Sequence, residues 1–230
     1  MRNMKKICFT FVLFCTFLCL CACNAENKND KTVAAGTVNG EIITADELQY
    51  FKGKLKAQVM NDILQEFSAE YTPGFWTEEF DGKTPEKVLY DQAFEKCVTA
   101  KIQFVLMREK GVYPDISYRE LYNKAVAFNK ENSKKQGVVG LKSIKLEQFY
   151  SYYLDNGIME LKNILAKDEI KPSAGEIKER VKQLTDSVSN ITDDELLSVA
   201  KSELISEKYD AYIAALRSSA KISTAEQAGG

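Results

Sequence analysis

Four times in this chain a serine or threonine is followed three residues later by glutamate and then by apolar residues at helical spacing: Thr44/Glu47, Ser117/Glu120, Ser173/Glu176 and Thr192/Glu195. A hydroxyl and a carboxylate so spaced can satisfy the free N–H groups at a helix start, so each pair predicts an N-terminus. After the first, Leu48, Phe51, Leu55, Val59, Ile63 and Phe67 form a stripe that stops before Pro73-Gly74. Gly53 lies inside that helix at a cost of about 1 kcal/mol against Ala, which points to a bend or a close contact there. Tyr118, Leu121, Ala125 and Phe128 follow the second box, and Ile177, Val181, Leu184 and Val188 the third. Leu196, Val199, Leu204, Tyr209, Tyr212, Ile213 and Leu216 follow the fourth. Two more helices start without a box. Thr84-Pro85 reads as an N-cap with proline at N1 of a long helix ending at Lys110-Gly111. Residues 146–167 are also periodic, with Asp155-Asn156-Gly157 as a candidate interruption. Residues 129–145, with Gly137, Gly140 and five lysines, read as a loop. Strand signal is confined to Thr37–Ile43, where Asn39-Gly40 between β-branched residues predicts a tight hairpin. The expected fold is mainly α, about six helices with a short N-terminal β-hairpin.

Residues 1–22 have the layout of a secretory signal. Arg2, Lys5 and Lys6 precede the uncharged run Ile7–Leu20, which is shorter than the roughly 20 apolar residues a bilayer-spanning helix needs. Leu20-Cys21-Ala22-Cys23 matches a bacterial lipobox, with an aliphatic residue at −3, a small one at −1 and a thiol to accept the lipid. Cys23 is therefore the expected lipidation site. Residues 23–34 are the expected tether, since Asn24–Lys31 is polar and without periodicity. The expected location is extracytoplasmic, anchored to the cell membrane through the lipid.

Removing residues 1–22 takes Arg2, Lys5 and Lys6 from 31 basic residues and leaves 28 against 33 acidic ones, a net charge near −5. That balance argues against nucleic acid as a partner. Five of the six cysteines lie in the signal and lipobox, which leaves Cys97 without an internal disulfide partner; on a helical stripe it reads as a small buried hydrophobe. The chain has no histidine. This removes Ser-His-Asp and Cys-His catalysis, the commonest general base and the commonest zinc ligand. No Walker loop, dinucleotide fingerprint, C-x-x-C or calcium loop is present. Asp193-Asp194-Glu195 is the tightest acidic cluster, but it sits at a helix start, where the dipole favours acids. No catalytic residue, cofactor or metal is expected.

Thr37-Val-Asn-Gly-Glu-Ile-Ile-Thr-Ala-Asp-Glu-Leu48 resembles the opening of the SurA/PrsA-type chaperone domain. The likeness continues through the long helix to Ala100-Lys101 and Glu109-Lys-Gly-Val112, and at Asp115–Leu121. It closes with Glu207–Leu216 through Ala220-Lys-Ile222, similar to the family's last helix and short strand. It covers residues 35–130 and 172–223, with a weaker middle. Full-length members carry a parvulin prolyl-isomerase domain with paired histidines. The chain between Lys110 and Thr185 is mainly helical in pattern and has none, so the resemblance implies the chaperone part alone. On this reading residues 35–223 form the helical domain and 224–230 a tail.

The resemblance implies a non-catalytic chaperone or foldase-like lipoprotein that binds unfolded or extended exported polypeptides. One alternative is a lipoprotein with a single dedicated envelope or secretion partner, and a second is a peptidyl-prolyl isomerase. Most Phe and Tyr residues fall on helix stripes and read as core. Phe75, Trp76 and Phe80, in the Pro73–Lys83 break between two long helices, are the expected client contacts.

Overall fold

The computed structural model describes residues 33–134, 143–185 and 191–225. Cys23 and residues 1–22, Gly137, Gly140, Val188 and the end of the tail lie outside the described residues. Among the described residues, six α-helices and one three-stranded sheet are present. The strands β1 (Ala34–Val38) and β2 (Glu41–Thr44) form the expected hairpin. Asn39 and Gly40 turn it with φ of 51° and 85°, the positive pair a two-residue hairpin requires. β3 (Ile222–Thr224) pairs antiparallel with the other edge of β1, giving the order β2-β1-β3.

The helices are α1 (Ala45–Glu66), α2 (Pro85–Glu109), α3 (Tyr118–Asn132), α4 (Leu146–Leu165), α5 (Ala174–Thr185) and α6 (Asp193–Ser218). Three of the four boxes close in both directions, at Thr44, Ser173 and Thr192. Ser117 makes half of its box: its hydroxyl accepts from the Glu120 N–H, while its own N–H donates to Asp115 Oδ1 at 2.8 Å. Thr84 caps α2 with Pro85 behind it.

α2 is the centre of the molecule. From Ala100 to Met107 its side chains are buried on nearly every face, whereas Gln92, Glu95 and Lys96 leave its first half open to solvent on one side; it packs against α1, α4, α6 and the sheet. Its two polar buried residues are each partnered. Lys101 Nζ meets Glu47 Oε1 at 2.7 Å, with only 5% and 3% of the two side chains exposed. Gln103 Nε2 donates to the Tyr209 hydroxyl of α6 at 3.0 Å. Cys97 is buried beside Glu47 and Lys101, and burial pushes its thiol far above the ordinary range. The main core gathers Phe104, Met107, Leu121, Phe149, Tyr150, Tyr153, Leu161 and Ile213 from α2, α3, α4 and α6.

Three local expectations are corrected. α4 runs unbroken through Asp155-Asn156-Gly157, because Gly157 is where the helix meets Met107 and Tyr113. A Cβ there would lie 2.6 Å from Met107 Sδ and 2.7 Å from a Tyr113 ring carbon. α3 continues to Asn132, into the expected loop, and the Asn129 amide holds Ile144 by both of its backbone groups. At Gly53 nothing lies within 4 Å of where a Cβ would sit, so no close contact explains that glycine.

α5 has no buried residue and packs chiefly on α6, with Ile177, Val181 and Leu184 half-buried. Ion pairs edge this contact: Glu176 with Lys208 at 2.7 Å, and Arg180 with Glu203 and Glu207 at 2.9 and 2.7 Å. The Lys208 ammonium, aided by the Ser173 cap, lowers the Glu176 carboxyl to about 2. No helix among the described residues is long and apolar enough to cross a membrane.

Two predictions follow from this packing. Lys101→Met should cost about 3–5 kcal/mol, because it strands a buried carboxylate, and Glu47→Gln with Lys101→Met should recover much of that loss. Urea midpoints of the single and double variants check it. The two helical glycines should respond oppositely to alanine. Gly53→Ala should raise stability by up to about 1 kcal/mol through helix propensity, and Gly157→Ala should lower it by about 1–3 kcal/mol through overpacking.

Candidate functional site: the aromatic end of the α1–α2 hairpin

α1 and α2 are consecutive, packed helices joined by residues 67–84. Near their junction lies a separate, smaller core. Val59 and Ile63 from α1 and Leu89 from α2 close on Phe75, with Leu55, Met60, Leu64, Trp76, Phe80 and Val88 packed around them. Phe75 opens a single 3₁₀ turn, Phe75–Thr77. Farther on, Phe80 and Lys83 exchange both backbone hydrogen bonds, and Asp81 and Gly82 take the positive φ values that fold the chain back.

The structure separates the three residues expected to contact a client. Phe75 is fully buried, with no exposed surface, and it anchors the junction by ring contacts to Tyr71, Trp76 and Phe80 at 5.4–5.6 Å. In this arrangement it offers nothing to a client. A large ring in a loop between helices earns its place by covering the apolar ends of both, which is what Val59, Ile63 and Leu89 need. Trp76 and Phe80 are half-buried and keep one flank in solvent. Two aromatic residues outside the expected set are more exposed. Tyr71 is 58% and Phe67 40% accessible, and the Phe67 ring meets Phe80 in a tilted contact at 5.4 Å. Phe67 belongs to the α1 stripe by spacing, but it is the C-cap residue, so the helix ends before its ring can turn inward.

Trp76 also walls a cleft of about 230 Å³ between α1 and the start of α2. Lys52, Gly53 and Lys56 line it from α1, and Glu86 and Leu89 from α2. The Lys56 ammonium stands 5.1 Å above the indole ring, a cation–π contact. Lys52 and Glu86 are 4.0 Å apart, at the outer limit of an ion pair. Gly53 contributes no side chain, and that keeps the cleft open. The spacing of Lys52, Gly53 and Lys56 was visible in the sequence. That they face Trp76 was not, because Trp76 is twenty residues farther along the chain.

The cleft itself is lined by apolar surface, the Gln49 amide, two ammonium groups and one carboxylate. They can hold a ligand by burial and charge. No group of three or more His, Cys, Asp or Glu side chains among the described residues is placed to hold a metal ion. Large apolar side chains are exposed elsewhere too, with Tyr122 and Val126 on α3 and Tyr152 and Met159 on α4.

Comparison with protein-family models, with curated proteins and with solved structures finds no match to this chain.

Phe75→Ala should cost about 3–5 kcal/mol, the usual loss for a buried phenylalanine. Tyr71→Ala, with most of its ring in water, should stay within about 0.5 kcal/mol. Thermal unfolding of the two variants separates the anchor from the surface; equal losses would contradict the assignment.

Proposed function

We propose that this chain is a lipid-anchored, non-catalytic chaperone-like protein that holds extended exported polypeptides at the membrane surface. The observation that carries the reading is the aromatic end of the α1–α2 hairpin. There Phe67 and Tyr71 are exposed beside half-buried Trp76 and Phe80, over a junction made rigid by Phe75. Large apolar side chains grouped on a surface mark a place where something else binds. Held stiff by their own small core, these rings lose little freedom on contact, so little of the binding energy is spent on ordering them. The likeness of Thr37–Leu48 and Glu207–Ile222 to SurA/PrsA-type chaperones supports the same reading. So does the match of Leu20–Cys23 to a lipobox, since lipidation at Cys23 would hold the chain where exported polypeptides emerge. Lipid attachment also confines the protein to that surface and raises its local concentration there.

The test is aggregation of a denatured client on dilution, with the full-length chain present in mild detergent at near-equal concentration. Suppression of light scattering is expected, without acceleration of prolyl isomerisation in a tetrapeptide assay. Phe67→Ser with Tyr71→Ser should reduce suppression several-fold while leaving the unfolding midpoint nearly unchanged. No suppression with any of several unrelated clients would sink this reading in favour of a single dedicated partner. Accelerated isomerisation would sink its non-catalytic half.

A further inference from the structure

Gly53 stands in the middle of α1, a 22-residue helix, and no packing explains it. Glycine is the poorest helix former after proline, so a helix interior accepts it where a side chain would be in the way. Here the space a side chain would take is the cleft. Lys52 and Lys56 flank the opening from the same helix, Trp76 and Leu89 give it apolar walls, and Glu86 is the one carboxylate on its rim. Two ammonium groups therefore face one carboxylate. Lys52 reaches Glu86 only at 4.0 Å, and Glu86 is mostly exposed. Lys56 rests on the indole face. The cleft thus has unspent positive charge beside apolar surface. At about 230 Å³ it is below the roughly 300–1,000 Å³ of pockets that enclose cofactors or drug-sized ligands, so it suits one side chain of a larger chain.

We propose that this cleft is a selective site for an extended polypeptide segment in which an acidic residue adjoins an aliphatic one. The aliphatic side chain enters over Gly53, against Trp76 and Leu89. The carboxylate is met by Lys52 and Lys56, with Lys56 leaving the indole face as the chain seats. The inference rests on the chaperone reading and adds which client segments that end of the molecule prefers: acidic–apolar ones over basic–apolar ones. The charge of the cleft opposes that of the protein as a whole, whose formal net charge is −2, so the preference is a local property of α1.

Trp76 is the single tryptophan of the chain, so its fluorescence reports on the cleft directly. The probe is an N-acetylated, C-amidated peptide Ser-Leu-Glu-Leu-Ser, which has no fluorophore, titrated into the full-length protein in a non-ionic detergent. Its Gln and Lys counterparts serve as comparisons. The Glu peptide should shift Trp76 emission saturably, and the Gln peptide should bind roughly threefold to tenfold more weakly, as two part-exposed ion pairs allow. Lys52→Gln with Lys56→Gln should erase the difference between the two peptides. Gly53→Leu should abolish the shift without lowering the unfolding midpoint, because leucine fills the cleft and favours the helix. Client aggregation is followed in parallel, to separate this site from the reading it rests on. Suppression with no Trp76 response, or with equal response to the Glu, Gln and Lys peptides, overturns the cleft and leaves the chaperone standing. Loss of both overturns both. An emission shift with phosphatidylglycerol vesicles but with no peptide would assign the cleft to anionic lipid and overturn the proposal.

Discussion

The buried pair between Glu47 and Lys101 is the contact on which the rest of the molecule is registered. Taking two charges out of water costs several kcal/mol per ion, and such a pair persists only when both groups are fully partnered. Glu47 meets that condition with both oxygens. Oε2 accepts from the Thr44 N–H at 2.8 Å, and Oε1 takes Lys101 Nζ at 2.7 Å. One carboxylate thus ends β2, starts α1 and fixes α1 against the middle of α2. Apolar contacts along two helices tolerate sliding by a fraction of a turn; a buried ion pair does not. Since α1 rises about 1.5 Å per residue, its register at Glu47 also sets where Lys52, Gly53 and Lys56 stand, roughly 8–14 Å farther on. The candidate cleft inherits its geometry from a pair that takes no part in it.

At the other end of the same hairpin, stability and surface are divided among neighbouring aromatic residues. Phe75 is wholly enclosed, Trp76 and Phe80 are half-enclosed, and Phe67 and Tyr71 are the most exposed of the five. This gradation lets a loop present large rings without becoming floppy. The buried ring holds the backbone, the half-buried rings lean on it, and the exposed ones extend their surface. It differs from the α5–α6 contact, where no α5 residue is buried and ion pairs ring a narrow apolar seam.

Much of the secondary structure is legible in the sequence because its signals are local. The capping boxes at Thr44, Ser173 and Thr192, the Thr84-Pro85 start and the Asn39-Gly40 turn each depend on residues within four positions of one another. What is not legible depends on distance. Lys101 reads as one more polar residue on a long helix, and its partner is 54 residues away. Gly53 and Gly157 look alike in sequence, yet one faces open space and the other Met107 and Tyr113. Phe75 falls off every helical stripe and so reads as surface. It is buried because two helix ends converge on it, a fact no periodicity within either helix contains. Trp76 belongs to a cleft only because α1 passes beside it.

The size of that cleft bears on what kind of binding the molecule can support. Burying one aliphatic side chain contributes about 1.5–3 kcal/mol. Two part-exposed ion pairs add roughly 0.2–1 kcal/mol each. Before any loss of motional freedom, the sum is about 2–5 kcal/mol, around the 4.1 kcal/mol of a millimolar complex. A site of that strength cannot hold a polypeptide alone. It becomes useful when the same chain also lies across the exposed rings of Phe67 and Tyr71, so that each weak contact raises the effective concentration for the next. Weakness at each point then serves the proposed activity. A segment in water can be caught by several small contacts in turn and released by losing them singly, whereas one deep pocket would keep its ligand.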